Sequence, residues 1–179
     1  MPALRFRNAT EDDIPALIDL VTSAYRGDAS RRGWTTEADL LDGQRIDAEM
    51  LRDDLAQPQS VVLLAEDEAR LVACAHVGVD DGAGYFGMFS VDPTAQGGGI
   101  GKVVLAEAER IARETFGCAR MRMTVIDCRD ELIAFYERRG YVRTGITKPF
   151  PYGNPRYGEP KRDDLRFEIL EKDLTETAA

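Results

Sequence analysis

The chain has 179 residues, 44% hydrophobic and 31% charged, which is enough for one domain to bury its own core without staples. Its net charge of −9 works against nucleic acid as a partner; solubility accounts for such a charge more readily than a cationic ligand, though it also suits an amine. No apolar run approaches the roughly 18 residues that span a bilayer, and the opening "MPALRFRNATEDD" has no secretory core, which excludes a membrane partner.

Thr10 opens the first predicted helix, with Asp13 three residues on, Pro15 suited to a first turn, and Ile14, Leu17, Ile18 and Val21 at helical spacing. A polar, glycine-punctuated stretch follows, "SAYRGDASRRGWTTEADLLDGQRID", which holds the single tryptophan, Trp34. A second helix is predicted over 47–55 and ends before Pro58. "SVVLLAED", "RLVACAHVGV" and "YFGMFSV" then read as three consecutive antiparallel strands, with Leu71, Ala73, Ala75, Val77 and Val79 alternating onto one face.

A helix over 99–115 carries Ile100, Val104, Ala108 and Ile111 on one stripe, and "RMRMTVI" is the next strand. "DELIAFYERRG" is a helix with Leu132, Phe135 and Arg139 on one side and Gly140 at the left-handed cap position. Strands "YVRTG" and "LRFEILE" close the chain on either side of a 16-residue segment, 148–163, with four prolines and two tyrosines, Tyr152 and Tyr157. A loop of that length between strands is often functional. The order predicts a single α+β domain over 1–179, its sheet mostly antiparallel with one parallel crossover from 85–91 through the helix to 120–126.

Gly97, Gly98, Gly99, Ile100, Gly101 and Lys102 stand between a strand and a helix. A Walker A loop would need a glycine where Gln96 stands and Ser or Thr where Val103 stands. The dinucleotide fingerprint fails too, because Gly97, Gly99 and Gly101 are spaced by two throughout. What remains is Gln96-x-x-Gly99-x-Gly101 opening a helix, which suits a pyrophosphate through backbone N–H groups and the helix dipole, or serves as a turn without a ligand.

Two motifs together resemble the GNAT superfamily of acyl-CoA-dependent N-acyltransferases. One is "FSVDPTAQGGGIGKVVLAEAERIA" and the other, about 35 residues on, is "ELIAFYERRGYVRTG". The resemblance implies a mixed, mostly antiparallel sheet of six to seven strands flanked by about four helices. It also implies acetyl-CoA as co-substrate and transfer to a primary amine, on a small molecule or a peptide, by direct attack in a ternary complex without a metal. Homodimers are frequent in the family.

By the same resemblance, the backbone of Phe89 and Val91 would pair with the pantetheine arm. Gln96 and the loop amides, with Lys102, would hold the pyrophosphate. Tyr136 would protonate the departing thiolate, or else be a core tyrosine. Arg129 stands where the family commonly has Asn, and would reach a phosphate of CoA or stay solvated. Tyr85 stands where some members carry a catalytic Glu, so it would act through water or line the substrate site. That missing carboxylate is the case for the alternative function, a non-catalytic acyl-CoA sensor.

His76, the one histidine, is either the base or a structural residue. Trp34, Glu37, Asp39, Tyr85 and Tyr152 fall in segments expected to bind substrate, Glu37 and Asp39 by attracting a cation or simply by starting a helix in solvent. Cys74, Cys118 and Cys128 are too few and too far apart for a zinc site or disulfide framework, show no paired histidine for a nucleophile, and point to a reducing cytoplasm.

Overall fold

The computed structural model describes residues 3–26, 30–31, 36–43, 45–96, 98–154 and 158–175. In chain order its strands are β1 (Arg5–Asn8), β2 (Leu41–Asp42), β3 (Ser60–Asp67), β4 (Arg70–Asp80), β5 (Ala83–Val91), β6 (Arg120–Ile126), β7 (Val142–Pro149), β8 (Glu159–Pro160) and β9 (Arg166–Asp173). The helices are α1 (Ile14–Tyr25), α2 (Ala48–Ala56), α3 (Ile100–Arg110) and α4 (Asp130–Glu137), four among the described residues. A single π-helical turn, Ile111–Thr115, extends α3.

Seven strands form one sheet in the order β1-β3-β4-β5-β6-β9-β7, and only β5 and β6 run parallel. Period-two side chains send alternate residues of β3 to opposite layers. Leu63 and Ala65 pack with α3 and α4, while Val62 and Leu64 pack with α1 and α2. Tyr25, at the end of α1, and His76, on β4, both line a cavity on the α1–α2 side.

Three features depart from the expected pattern. β1 was not foreseen: with one apolar residue in four it has no strand signal, and it holds by pairing with β3 and by Arg7, which ion-pairs with both Asp13 and Glu66. Leu71 leaves the expected face because a bulge opposite Ala65 and Glu66 shifts the register, so Leu71 packs toward α1 and α2 while Val72 and Ala73 both pack on the other layer. Segment 148–163 is not all loop, since β8 pairs with β2 and Lys161 Nζ donates to the Ala38 carbonyl at 2.7 Å. Gly140 does take the left-handed cap conformation, with φ +96°.

Candidate active site

β5 and β6 pair only at Gly84↔Met121 and Tyr85↔Arg122, and then diverge toward their C-terminal ends. The resulting wedge is the mouth of a cavity of about 530 Å³, a volume typical of small-molecule sites. A second bulge sits here. Cys74 pairs with Ser90 and His76 with Gly87, so Met88 and Phe89 together face Ala75, and Met88 takes φ +52°. This re-aims the strand where the wedge is widest.

The expected backbone partners of the pantetheine arm are partly engaged by the chain itself. The Tyr25 hydroxyl donates to the Phe89 carbonyl, and Gln96 Nε2 donates to the Val91 carbonyl at 3.0 Å. Gln96 therefore braces the turn after β5. Past it, Gly99 caps α3 at φ +80°, and the first intrahelical bond comes from Val103 to the Gly99 carbonyl, which leaves the amides of Ile100, Gly101 and Lys102 ahead of it.

Gly101 has a packing reason: a Cβ there would lie 2.9 Å from Phe89 Cζ. At Gly98 the nearest atom would be 3.7 Å away, so that position is open to a ligand. Lys102 is exposed, Ile100 is buried, and Gly97 lies outside the described residues. Among the described residues, none of Gln96, Gly98, Gly99, Ile100, Gly101 or Lys102 lines the cavity.

One part of the cavity gathers Tyr136, Tyr85 and His76. Tyr136 lines it within an aromatic cluster, 5.4 Å from Phe135 and 6.3 Å from Phe86 between ring centroids. Burial pushes its pKa well above the ordinary tyrosine value, so it stays a phenol and can only give up a proton to a strong base. The Tyr85 ring lies back over Gly87, its hydroxyl 2.6 Å from where a Cβ would stand, and meets His76 edge-on at 5.7 Å. Burial raises the Tyr85 pKa as well.

The hydrogen bonds of Ser60 define the His76 tautomer. Ser60 Oγ donates its one proton to the Asp54 carbonyl (2.7 Å), so toward His76 Nε2 (2.7 Å) it can only accept. Nε2 therefore carries the ring proton, and the lone pair is on Nδ1, 3.9 Å from Asp54 Oδ2. Burial lowers the His76 pKa, which the Asp54 carboxylate partly offsets, and burial raises that of Asp54. His76 is thus a neutral imidazole at pH 7, with its basic nitrogen beside a carboxylate.

Another part is cationic. Glu37, expected to attract a cationic substrate, is occupied: it accepts from Arg26 Nη1 and from Arg129 Nη1, the latter at 3.0 Å, and all three side chains are at most 8% exposed. Burial alone would raise the Glu37 pKa, but the charges of Arg129, Arg26 and Arg45 together outweigh it and hold it below the ordinary value. Arg129, expected at a CoA phosphate or in solvent, is instead buried in this cluster. Arg129 and Arg45 both sit on the Tyr25 ring, with Cζ 5.6 and 5.3 Å from its centroid.

Several expected residues fall elsewhere. Asp39 forms a surface ion pair with Arg31 at 2.8 Å. Tyr152 does not line the cavity; its hydroxyl donates to the Arg162 carbonyl and accepts from the Leu165 amide, which leaves Phe150 and Pro151 of the same segment as cavity wall. Trp34 and Tyr157 lie outside the described residues. The Cys74 thiol is pushed up to about 12 by burial, and burial raises Cys118 and Cys128 too, so no thiolate nucleophile is present among them. Among the described residues no three His, Cys, Asp or Glu side chains gather as a metal site, and no helix is long and apolar enough to cross a membrane. Tyr25, Arg26, Arg45 and Asp54 were missed, because a polar residue in a polar stretch carries no periodic sign that it turns inward.

A mostly antiparallel seven-stranded sheet, split after one parallel pair and followed by a glycine-capped helix, is the architecture that comparison with solved structures also finds. Residues 16–141 match the acetyltransferase (GNAT) family, and the chain belongs to that family. The mycothiol acetyltransferase of Salinispora tropica is 30% identical over 144 residues, 77% of this chain and 43% of that protein. A probable glucosamine 6-phosphate N-acetyltransferase 2 of Oryza sativa subsp. japonica is 34% identical over 97 residues, 48% of this chain and 56% of that protein. The chain thus spans about half the length of these two relatives. In fold it is similar to the ribosomal-protein-S18-alanine N-acetyltransferase from Escherichia coli, with TM-score 0.71, 14% identity, and 98% and 97% of the two chains covered.

Proposed function

We propose that the chain transfers an acetyl group from acetyl-CoA to a primary amine by direct attack in a ternary complex. The observation that carries this reading is the wedge between β5 and β6, at the end of the strand that leads into the glycine loop, with a neutral imidazole and a buried phenol in its cavity. The amides of Gly98, Gly99, Ile100, Gly101 and Lys102, with the Lys102 charge, hold the pyrophosphate. Gly97, which precedes them in sequence, lies outside the described residues. Phe89 and Val91 line the course of the pantetheine arm.

An amine attacks a thioester only when unprotonated, so the amine proton passes to His76 Nδ1, beside Asp54. Backbone N–H groups of β5 face the oxyanion of the tetrahedral intermediate. As the C–S bond breaks CoA leaves as the thiolate, and Tyr136, a weaker acid than a thiol, donates it a hydrogen bond without giving up its proton. Tyr85 shapes the acceptor side, and Glu37 holds Arg26 and Arg129 in place there. The proposed setting is the cytoplasm, where the three unpaired thiols stay reduced.

Thiol release from acetyl-CoA across amines, amino acids and peptides tests the reading. Turnover with one class of amine is expected, and Tyr136→Phe lowers kcat by about 100-fold. Thermal stabilisation by acetyl-CoA without turnover on any amine would instead make the chain an acyl-CoA sensor. A Tyr136→Phe variant with full rate would remove the hydrogen-bonding role from Tyr136 alone.

A further inference from the structure

Charges of both signs line the cavity. Around the Tyr25 ring, among the described residues, the guanidiniums of Arg26, Arg45 and Arg129 gather with the carboxylate of Glu37. Arg45 is half-buried, and among the described residues it has no ion pair and no hydrogen bond, only the face of the Tyr25 ring. Arg26 is 4% exposed, and its Nε is a buried donor with no hydrogen-bond partner among the described residues. A buried guanidinium donor left unmatched, next to a guanidinium that forms no direct ion pair among the described residues, is an unfavourable arrangement that an anionic ligand relieves. Asp54, beside the neutral His76, and Asp80 line the same cavity.

We infer that the acceptor is an amine that also carries an anionic group, a carboxylate or a phosphate, bound beside the Tyr25 ring by Arg45 together with Arg26 and Arg129, while its amine faces Asp54 and His76. This rests on the acetyl-transfer reading and names the substrate class of the same cavity. The pyrophosphate of CoA does not serve as this anion, because the glycine loop proposed to hold it contributes no described residue to the cavity. A simple alkylamine or a polyamine brings only positive charge to a cluster already in excess of it. A zwitterionic amine matches charges of both signs and fixes its own orientation, amine toward the base.

The test is a paired acceptor panel with acetyl-CoA: free amino acids and aminoethyl phosphate against amino-acid amides and aminoalkanes of the same length, with a polyamine alongside. The anion-bearing members should show kcat/KM roughly 10- to 100-fold above their neutral twins. Arg45→Gln should bring that ratio toward one, and Arg45→Lys should keep part of it. The carboxylate and phosphate arms decide which anion is used.

Neutral twins used as well as the anionic ones, or a ratio unmoved in Arg45→Gln that folds like the parent by circular dichroism, would overturn the inference. So would a selective loss of succinyl-CoA use in Arg45→Gln with a neutral acceptor, which would assign the cation to the acyl group. If no amine turns over, the acetyl-transfer reading has failed separately. Calorimetric binding of the anionic amines to the acetyl-CoA-loaded chain, weakened by Arg45→Gln, would then still support the inference, and its absence would overturn it.

Discussion

The glycine loop and the cavity wall solve their problems with different parts of the chain. At the loop the working atoms are backbone amides ahead of the first intrahelical bond, and side chains are absent or turned away: Gly98 is open, and Gly101 makes room for the Phe89 ring. At the wall the working atoms belong to side chains from α1, α2, β4 and the turn before α4, gathered from over 100 positions of sequence. A backbone site tolerates many neighbours but depends on the absence of a Cβ. A side-chain site depends on every charge having its counterpart, so it is the more fragile.

Glu37→Gln strikes that fragile side hardest. It removes the counter-charge of two buried guanidiniums and should cost about 3–5 kcal/mol of stability, read from urea unfolding. A loss below about 1 kcal/mol, the range of surface pairs, would mean the cluster is not electrostatically closed. His76→Gln keeps a hydrogen bond to Ser60 but no basic nitrogen beside Asp54. It should lower kcat/KM by about 100-fold or more with thermal stabilisation by acetyl-CoA unchanged, separating acceptor chemistry from donor binding.

The loop can be tested one glycine against another. Gly101→Ala drives a methyl into the Phe89 ring and should cost about 1–3 kcal/mol of stability. Gly98→Ala should leave the melting temperature nearly unchanged and weaken acetyl-CoA binding instead. Equal effects of the two on stability would erase the division between packing glycine and ligand glycine.

The smallest expected effect lies remote from both regions, at Arg7 and Asp13. The Arg7 guanidinium holds the Asp13 carboxyl at about 2, below its ordinary 3.8. A depressed carboxylate stabilises the fold above pH 3.8, and that contribution is lost as pH falls through about 2. Asp13→Asn should therefore cost about 1 kcal/mol at pH 7, as expected for a partly exposed pair, and progressively less toward pH 2 in acid-unfolding curves.

Most of the sheet and all four described helices were legible, because amphipathic periods of 2 and 3.6 are local properties. β3 and β6 fall on the predicted residues. β1 was not legible, since an edge strand of four mostly polar residues is stabilised by its partner and not by its own pattern. The same division runs through the site. Gly99 and Tyr136 could be picked out because their motifs are contiguous, whereas Arg45 could not.

By itself, the sequence determined the family, the parallel crossover and the glycine-capped helix start after β5, since each depends on residues adjacent along the chain. Only the tertiary structure decided that Glu37 is bound to Arg26 and Arg129, that Ser60 places the His76 lone pair on Nδ1, and that Arg45 forms no direct ion pair among the described residues. Charge pairing depends on distance through space between groups remote in sequence. Whether a charged residue in a polar stretch is solvated, paired or waiting for a ligand becomes a fact only once the chain has closed around it.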